Sequence, residues 1–269
     1  MLKNLTIGQY YPSDSVIHRL DPRVKIALTF AFIVFLFLAR GATGYALMAA
    51  YSILAAAVSR IPAGILLRGL RPILVLVIIA FLIHLFITDG VVWFRVGPLV
   101  ATREGARIGV LMATRIILLI FTTSLLTLTT SPIALTDGLE RLMAPAQRFG
   151  IPVHELAMMI TIALRFIPAL LDEADRIMKA QMARGADFES GNVVQRARSL
   201  VPLLVPLFIS AFRRADDLAL AMEARCYRGG HSRTRLRQLR IGAPDIAACL
   251  VSLPFMVGVI LLRMGWVRW

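Results

Sequence analysis

A chain of 269 residues that is 58% hydrophobic and only 17% charged, with a mean hydropathy of +0.75, is not composed like a soluble domain, which carries about 25% charged residues; a bilayer is its solvent. Its formal charge of +14, from 30 Lys and Arg against 16 Asp and Glu, would suit phosphate backbones. No nucleic-acid reader motif accompanies that charge, and in so apolar a chain a positive-inside loop bias and anionic headgroups account for it.

The N-terminal stretch "MLKNLTIGQYYPSDSVIHRLDPR" has no apolar h-region, so no cleavable signal peptide is expected. Five segments then predict spans: roughly 24–39, 45–58, 71–87, 108–130 and 241–262, each apolar and nearly free of charge. Asp21-Pro22 supplies a cap and a first-turn proline for the first of them. The second is alanine-rich, which lets helix backbones approach closely in lipid.

Two further runs imitate spans. "LAMMITIALRFIPALL" (156–171) contains Arg165 and Pro168 and runs straight into Asp172, Glu173 and Asp175. "LVPLLVPLFISAF" (200–212) is short and holds Pro202 and Pro206. Both are expected to be buried or interfacial helices rather than spans. With the N-terminus inside, this places 131–240, which holds 16 Lys/Arg against 11 Asp/Glu, in the cytoplasm. The outer 88–107 loop, with three arginines, fits that assignment least well. Trp266 and Trp269 would then anchor the far end at the interface.

The expected fold is therefore an all-α integral membrane protein of about five transmembrane helices with a cytoplasmic helical insert. Residues 1–130 hold the first four spans, 131–240 the insert and 241–269 the last span. Within the insert, apolar residues recur at helical period from Leu156 to Met178, and Gly185 supplies a stop. A second helix is expected from about Ala197 to Arg225, closed by Gly229-Gly230.

No catalytic constellation stands out. His18, His84, His154 and His231 are scattered, two cysteines (Cys226 and Cys249) make neither a disulfide framework nor a zinc site, and no G-x-x-x-x-G-K-[ST] is present. Asp172, Glu173 and Asp175 have Arg176 and Lys179 as neighbours and read as an ion-paired helix face. Arg115, inside the fourth span, either lines a pathway or snorkels to an interface. Six of eleven methionines fall in the insert, suiting either a surface that re-packs against partners or ordinary gap filling.

One pattern asks for more. "EADRIMKAQMARGAD" (173–187) and "RADDLALAMEARCYR" (214–228) superpose without a gap at an offset of 41, sharing Ala174/Ala215, Asp175/Asp216, Ala180/Ala221, Ala183/Ala224 and Arg184/Arg225. A single arginine at a helix end complements the helix dipole and needs no further reason. Two, each flanked by small residues, suggest equivalent plugs for a two-fold or pseudo-two-fold cytoplasmic partner, since a guanidinium takes a carboxylate bidentately.

On "SVIHRLDPRVKI" (15–26), the stretch from Thr129 to Phe188, and "RADDLALAMEARCYRGG" (214–230), the chain resembles the transmembrane T component of energy-coupling factor transporters. These are ATP-binding-cassette importers of vitamins and micronutrients. The resemblance implies a non-catalytic subunit of the cell (inner) membrane that binds no cofactor, ATP being held by two partner ATPases. A small membrane S component binds the substrate. The resemblance also implies that two long coupling helices end in ATPase-docking motifs, here Ala183-Arg184-Gly185 and Ala224-Arg225-Cys226. The second has cysteine where the family pattern has glycine, so its helix stop is expected to move to Gly229. A conventional importer permease would need one coupling loop per chain, and the doubled ending speaks against it. A secondary transporter predicts inverted repeats with broken spans, and none is legible. An intramembrane enzyme would need a clustered nucleophile, base or metal set.

Overall fold

The computed structural model describes residues 10–96, 99–186, 188, 192–227, 229 and 239–264. Trp266, Trp269, His231 and most of the basic run 231–240 lie outside the described residues. The chain divides into two compact units, one from 8–142 with 238–269 and the other from 143–237.

The first unit begins with a short helix, α1 (Val16–Arg19), capped by Ser15. Asp21 then caps α2 (Pro22–Leu38) by accepting from the Arg23 N–H, with Pro22 at the helix start as its missing N–H allows. α3 (Gly41–Ser59) follows after a two-residue turn, and Arg60 in the left-handed region redirects the chain into α4 (Ala63–Leu70). A 3-10 turn at Arg71–Ile73, where Pro72 cannot donate, joins α4 to α5 (Leu74–Ile87). An antiparallel hairpin that the sequence reading missed, β1 (Val92–Val96) and β2 (Leu99–Thr102), leads into α6 (Arg103–Thr129), which Thr102 caps through Gly105 N–H at 3.0 Å. α7 (Pro132–Met143) and α11 (Ala243–Arg263) complete this unit.

Its core lies where α2, α3, α6 and α11 converge on Phe32, Leu36, Met48, Leu118 and Val259. A second cluster joins Ile61 and Leu66 to Leu125 and Leu128. α5 approaches α6 closely because Gly105 and Gly109 face the His84 carbonyl and Phe81, where a Cβ would meet atoms at 2.5 and 3.0 Å. The outward surface is apolar: α5 buries only Val77 and Leu85 and exposes Val75, Leu76, Ile78, Ile79 and Ile83. A helix apolar on every face, with most of it uncovered, is solvated by lipid. The molecule is an all-α membrane protein.

Five helices are long and apolar enough to cross a membrane: Gly41–Ser59, Ala63–Ile87, Arg103–Thr129, Val153–Ala183 and Ala243–Arg263. The number matches the expectation; the membership differs in one place. The first expected span, 24–39, falls on a helix of only 17 residues, Pro22–Leu38. Residues 156–171, rejected as a span, belong to a 31-residue helix that continues through Pro168, and its apolar stretch qualifies by length and composition. The helix itself, through Pro168 to the stop at Gly185, is as expected; Arg165, Pro168 and the acids that follow counted against a span, yet enough apolar residues flank them to reach spanning length.

In the second unit, a 3-10 stretch (Ala144–Phe149) leads to α8 (Val153–Ala183). The helix expected from Ala197 to Arg225 is two helices, α9 (Val193–Ser199) and α10 (Val201–Ala224), with Pro202 in the first turn of the latter. A proline there removes the N–H that would have carried one helix into the next.

Candidate docking site

Within the first unit, the N-terminal end of α2 is an anchor for the chain on either side of residues 143–237. The Asp21 N–H donates to Asp245 Oδ1 at 2.7 Å, and Asp245 Oδ2 accepts from the Gly242 N–H at 2.8 Å. Arg23 grips Asp21 through Nε and a terminal nitrogen at 3.1 and 2.8 Å and donates to the Leu239 carbonyl at 3.1 Å. On the other flank, Gly138 of α7 sits so close to Pro22 that a Cβ would lie 2.9 Å from its ring. The Arg23 guanidinium, hydrogen-bonded to the Asp21 side chain, holds that carboxyl below its ordinary range against the opposing effect of burial. Residues 21–23 thus clasp the chain just before it enters residues 143–237 and just after it leaves them.

Within the second unit, α8 and α10 pack against each other. Arg214 donates to Glu173 at 3.0 Å. These two residues occupy the same place in the 41-residue superposition, so the helices meet at equivalent positions. Arg184 lies 11 residues beyond Glu173, and Arg225 lies 11 beyond Arg214, or about 16 Å of helix in each case. The two arms are equal. An open apolar groove between them is lined by Phe166 and Leu170 of α8 and Ala215, Leu218 and Met222 of α10.

The two tips close by the same hydrogen bonds. In the first, Gly185 N–H donates to the Met182 carbonyl at 3.0 Å and Ala186 N–H to the Gln181 carbonyl at 3.0 Å. In the second, Cys226 N–H donates to the Glu223 carbonyl at 2.8 Å and Tyr227 N–H to the Met222 carbonyl at 3.0 Å. Both pairs are the Schellman arrangement, which satisfies helix carbonyls that have no intrahelical partner. The arginines match too, with φ −89°, ψ 6° at Arg184 and φ −91°, ψ 12° at Arg225. Gly185 follows at φ +89° and Cys226 at φ +56°. The expected shift of the second stop to Gly229 does not occur: the helix ends at Ala224, and Cys226 takes the left-handed position itself. The two capping bonds offset the strain of a side chain there, about 1–2 kcal/mol.

Ala183, Arg184, Gly185, Ala224, Arg225 and Cys226 are all exposed. Neither Arg184 nor Arg225 forms an ion pair with a described residue. Each tip is a helix end whose arginine is flanked by residues too small to shield it. The acidic face behind the first tip is structural, with Asp175 paired to Lys179. Among the described residues, no group of three His, Cys, Asp or Glu is placed to hold a metal ion. Met159 and Met182 are exposed, while Met222 lines the groove. The clasp at residues 21–23 joins residues too far apart for a sequence signal, whereas the 41-residue offset does pair Glu173 with Arg214.

Comparison with known proteins adds an independent line. Residues 13–236 match the family model CbiQ, described as cobalt transport protein. The chain is 59% identical over 265 residues to the "energy-coupling factor transporter transmembrane protein EcfT" of Thermosediminibacter oceani, covering 98% of this chain and 100% of that one. Proteins of the same name are 52% identical in Acidaminococcus fermentans over 266 residues (98% and 99% covered) and 48% identical in Bacillus subtilis over 240 (89% and 91% covered).

Proposed function

The chain belongs to the CbiQ family and, within it, to the EcfT transmembrane components of energy-coupling factor transporters; on that premise we propose that it is the scaffold joining two ATPase subunits to a small substrate-binding membrane protein. The observation that carries this reading is the pair of matched, exposed arginine tips on equal arms. Each arginine enters a groove on one ATPase and meets a carboxylate there. Neither ATP nor substrate is held by this chain, which is a coupling subunit rather than an enzyme. Cargo selection, for a vitamin or another micronutrient, lies in the substrate-binding partner.

On this reading α8, although long and apolar enough to cross, does not do so, and residues 131–240 lie on the cytoplasmic side of the cell membrane. When ATP draws the two ATPases together, both tips are displaced, and the contact at Glu173–Arg214 makes the arms turn about a shared point. Their apolar surfaces carry the movement to the substrate-binding partner, which reorients and releases its cargo inward. A lever works only if its ends are held, and an arginine buried against a carboxylate on docking is a firm hold. The double variant Arg184→Ala with Arg225→Ala is expected to lose co-purification with both ATPases while still inserting in the membrane. Normal co-purification of the double variant would overturn the proposal.

A further inference from the structure

Two features of the first unit meet at the turn between α2 and α3. The hairpin is short: 17 and 19 residues, or about 26 and 28 Å of helix, against a hydrocarbon core of roughly 30 Å. α6 beside it runs 27 residues, about 40 Å. A short membrane element is accommodated by local thinning of the bilayer or by long side chains reaching to the headgroups. The short end carries two cations. Arg40, exposed, occupies the turn itself. Arg115 reaches it from α6, its guanidinium carbon 5.2 Å from the Phe37 ring and 5.6 Å from the Tyr45 ring.

The guanidinium is oriented but not satisfied. Ring faces attract its charge without accepting its in-plane N–H groups as an oxygen would. A terminal nitrogen donates to the Met112 sulfur at 3.7 Å, a weak acceptor, and Nε is buried with no partner among the described residues. No described carboxylate pairs with it. Tyr45 is buried in the core, but Phe37 is 58% exposed and Arg115 only half-buried, so the site opens on its Phe37 side, where the solvent is lipid. A partner's carboxylate would need a covered face here; a headgroup does not.

We propose that Arg115, walled by Phe37 and Tyr45 and assisted by Arg40 at the turn, binds the phosphate of an anionic phospholipid drawn down where the α2–α3 hairpin falls short of the membrane surface. The guanidinium fork takes two phosphate oxygens, and the aromatic pair fixes its plane. This site rests on the bilayer placement of α2, α3 and α6, not on ATPase docking, and either can fail without the other.

The test uses the full-length chain in nanodiscs of phosphatidylcholine with a titrated fraction of phosphatidylglycerol, followed by counting retained lipids by native mass spectrometry. Wild type is expected to keep about one phosphatidylglycerol in preference to phosphatidylcholine. Arg115→Gln is expected to weaken that retention about ten- to hundredfold, the range for a charged hydrogen-bond partner, and Arg115→Lys to weaken it less. Unchanged retention in Arg115→Gln overturns the proposal, as does a wild-type chain without preference between the two lipids, which needs no variant to fold. Inorganic phosphate displacing phosphatidylglycerol at millimolar concentration would make this an aqueous anion site and also overturn it. So would loss of the substrate-binding partner in Arg115→Gln at an unchanged lipid count, which would assign the cation to a protein carboxylate.

Discussion

The first arm leaves its helix on a glycine at φ +89° and the second on a cysteine at φ +56°, yet both make the same two carbonyl bonds and set their arginines within a few degrees of one another. The shared element is therefore a backbone geometry that points an arginine out of a closed helix end. Glycine is the easy way to reach it and cysteine a strained one. Whether the two tips are equal in function is then a question about their arginines, and whether they are equal in stability is a question about the residue that follows.

The largest effect tests the first question. Arg184→Ala and Arg225→Ala, made singly, should each weaken ATPase association by roughly 3–5 kcal/mol, the cost of leaving a buried ion pair without one member. Titration of purified ATPases onto the chain in detergent measures both. Equal losses support equivalent sockets; a loss confined to one tip would make the other an ordinary capped helix end.

A smaller effect should strike both arms alike. Asp21→Asn removes the anion that Arg23 grips, at a site where Asp21 is 6% exposed, and should cost about 1–3 kcal/mol of stability in the first unit. Because Asp21 is held below its ordinary pKa in the folded chain, its contribution is present above the unfolded carboxylate value. It is lost as pH falls through the folded one, so acid below about pH 4 should narrow the difference between wild type and Asp21→Asn in thermal melts. A constant difference down to pH 2.5 would remove the clasp's electrostatic part. Loss of one ATPase but not the other in Asp21→Asn would show that the arms do not share this anchor.

The second question calls for exchanging the residues themselves. Cys226→Gly should relieve about 1 kcal/mol of left-handed strain and Gly185→Cys should impose it. Amide exchange at residues 185–186 and 226–227 reports each tip separately, slowing in the first variant and quickening in the second. No change at either tip would mean the capping bonds alone dictate the conformation.

How much of this was legible beforehand follows from where the information sits. The doubled Ala-Arg ending and the Asp21-Pro22 start are local and visible in the chain. The clasp between Asp21 and Asp245 spans 224 residues, and no spacing rule connects them. Cysteine has no preference for positive φ, so Cys226 looked unable to replace glycine, and only the hydrogen bonds around it reveal that it does. The helix through Pro168 to Gly185 was legible from its apolar period, since one missing bond in a 31-residue helix is tolerated when neighbouring turns hold the rest; what Arg165, Pro168 and the acids after them obscured is that its apolar stretch is long enough to span. The hairpin before α6 has strands of five and four residues, too short for an alternating pattern to separate it from a loop.

The smallest expected effect sharpens the comparison at its centre. Glu173 and Arg214 are the one described ion pair between the arms and stand at equivalent positions, with side chains 30% and 36% exposed. Solvent screening at that exposure limits the pair to about 0.3–1 kcal/mol, which a double-mutant cycle with Glu173→Gln and Arg214→Gln resolves in chemical denaturation. The informative variant is the exchange, Glu173→Arg with Arg214→Glu. If the crossing is symmetric about these residues, reversing the pair returns the same contact, and stability should recover to near wild type while either single reversal loses it. If the exchange recovers nothing, the two helices meet at matching residues but in unlike surroundings, and the likeness of the arms is confined to their tips.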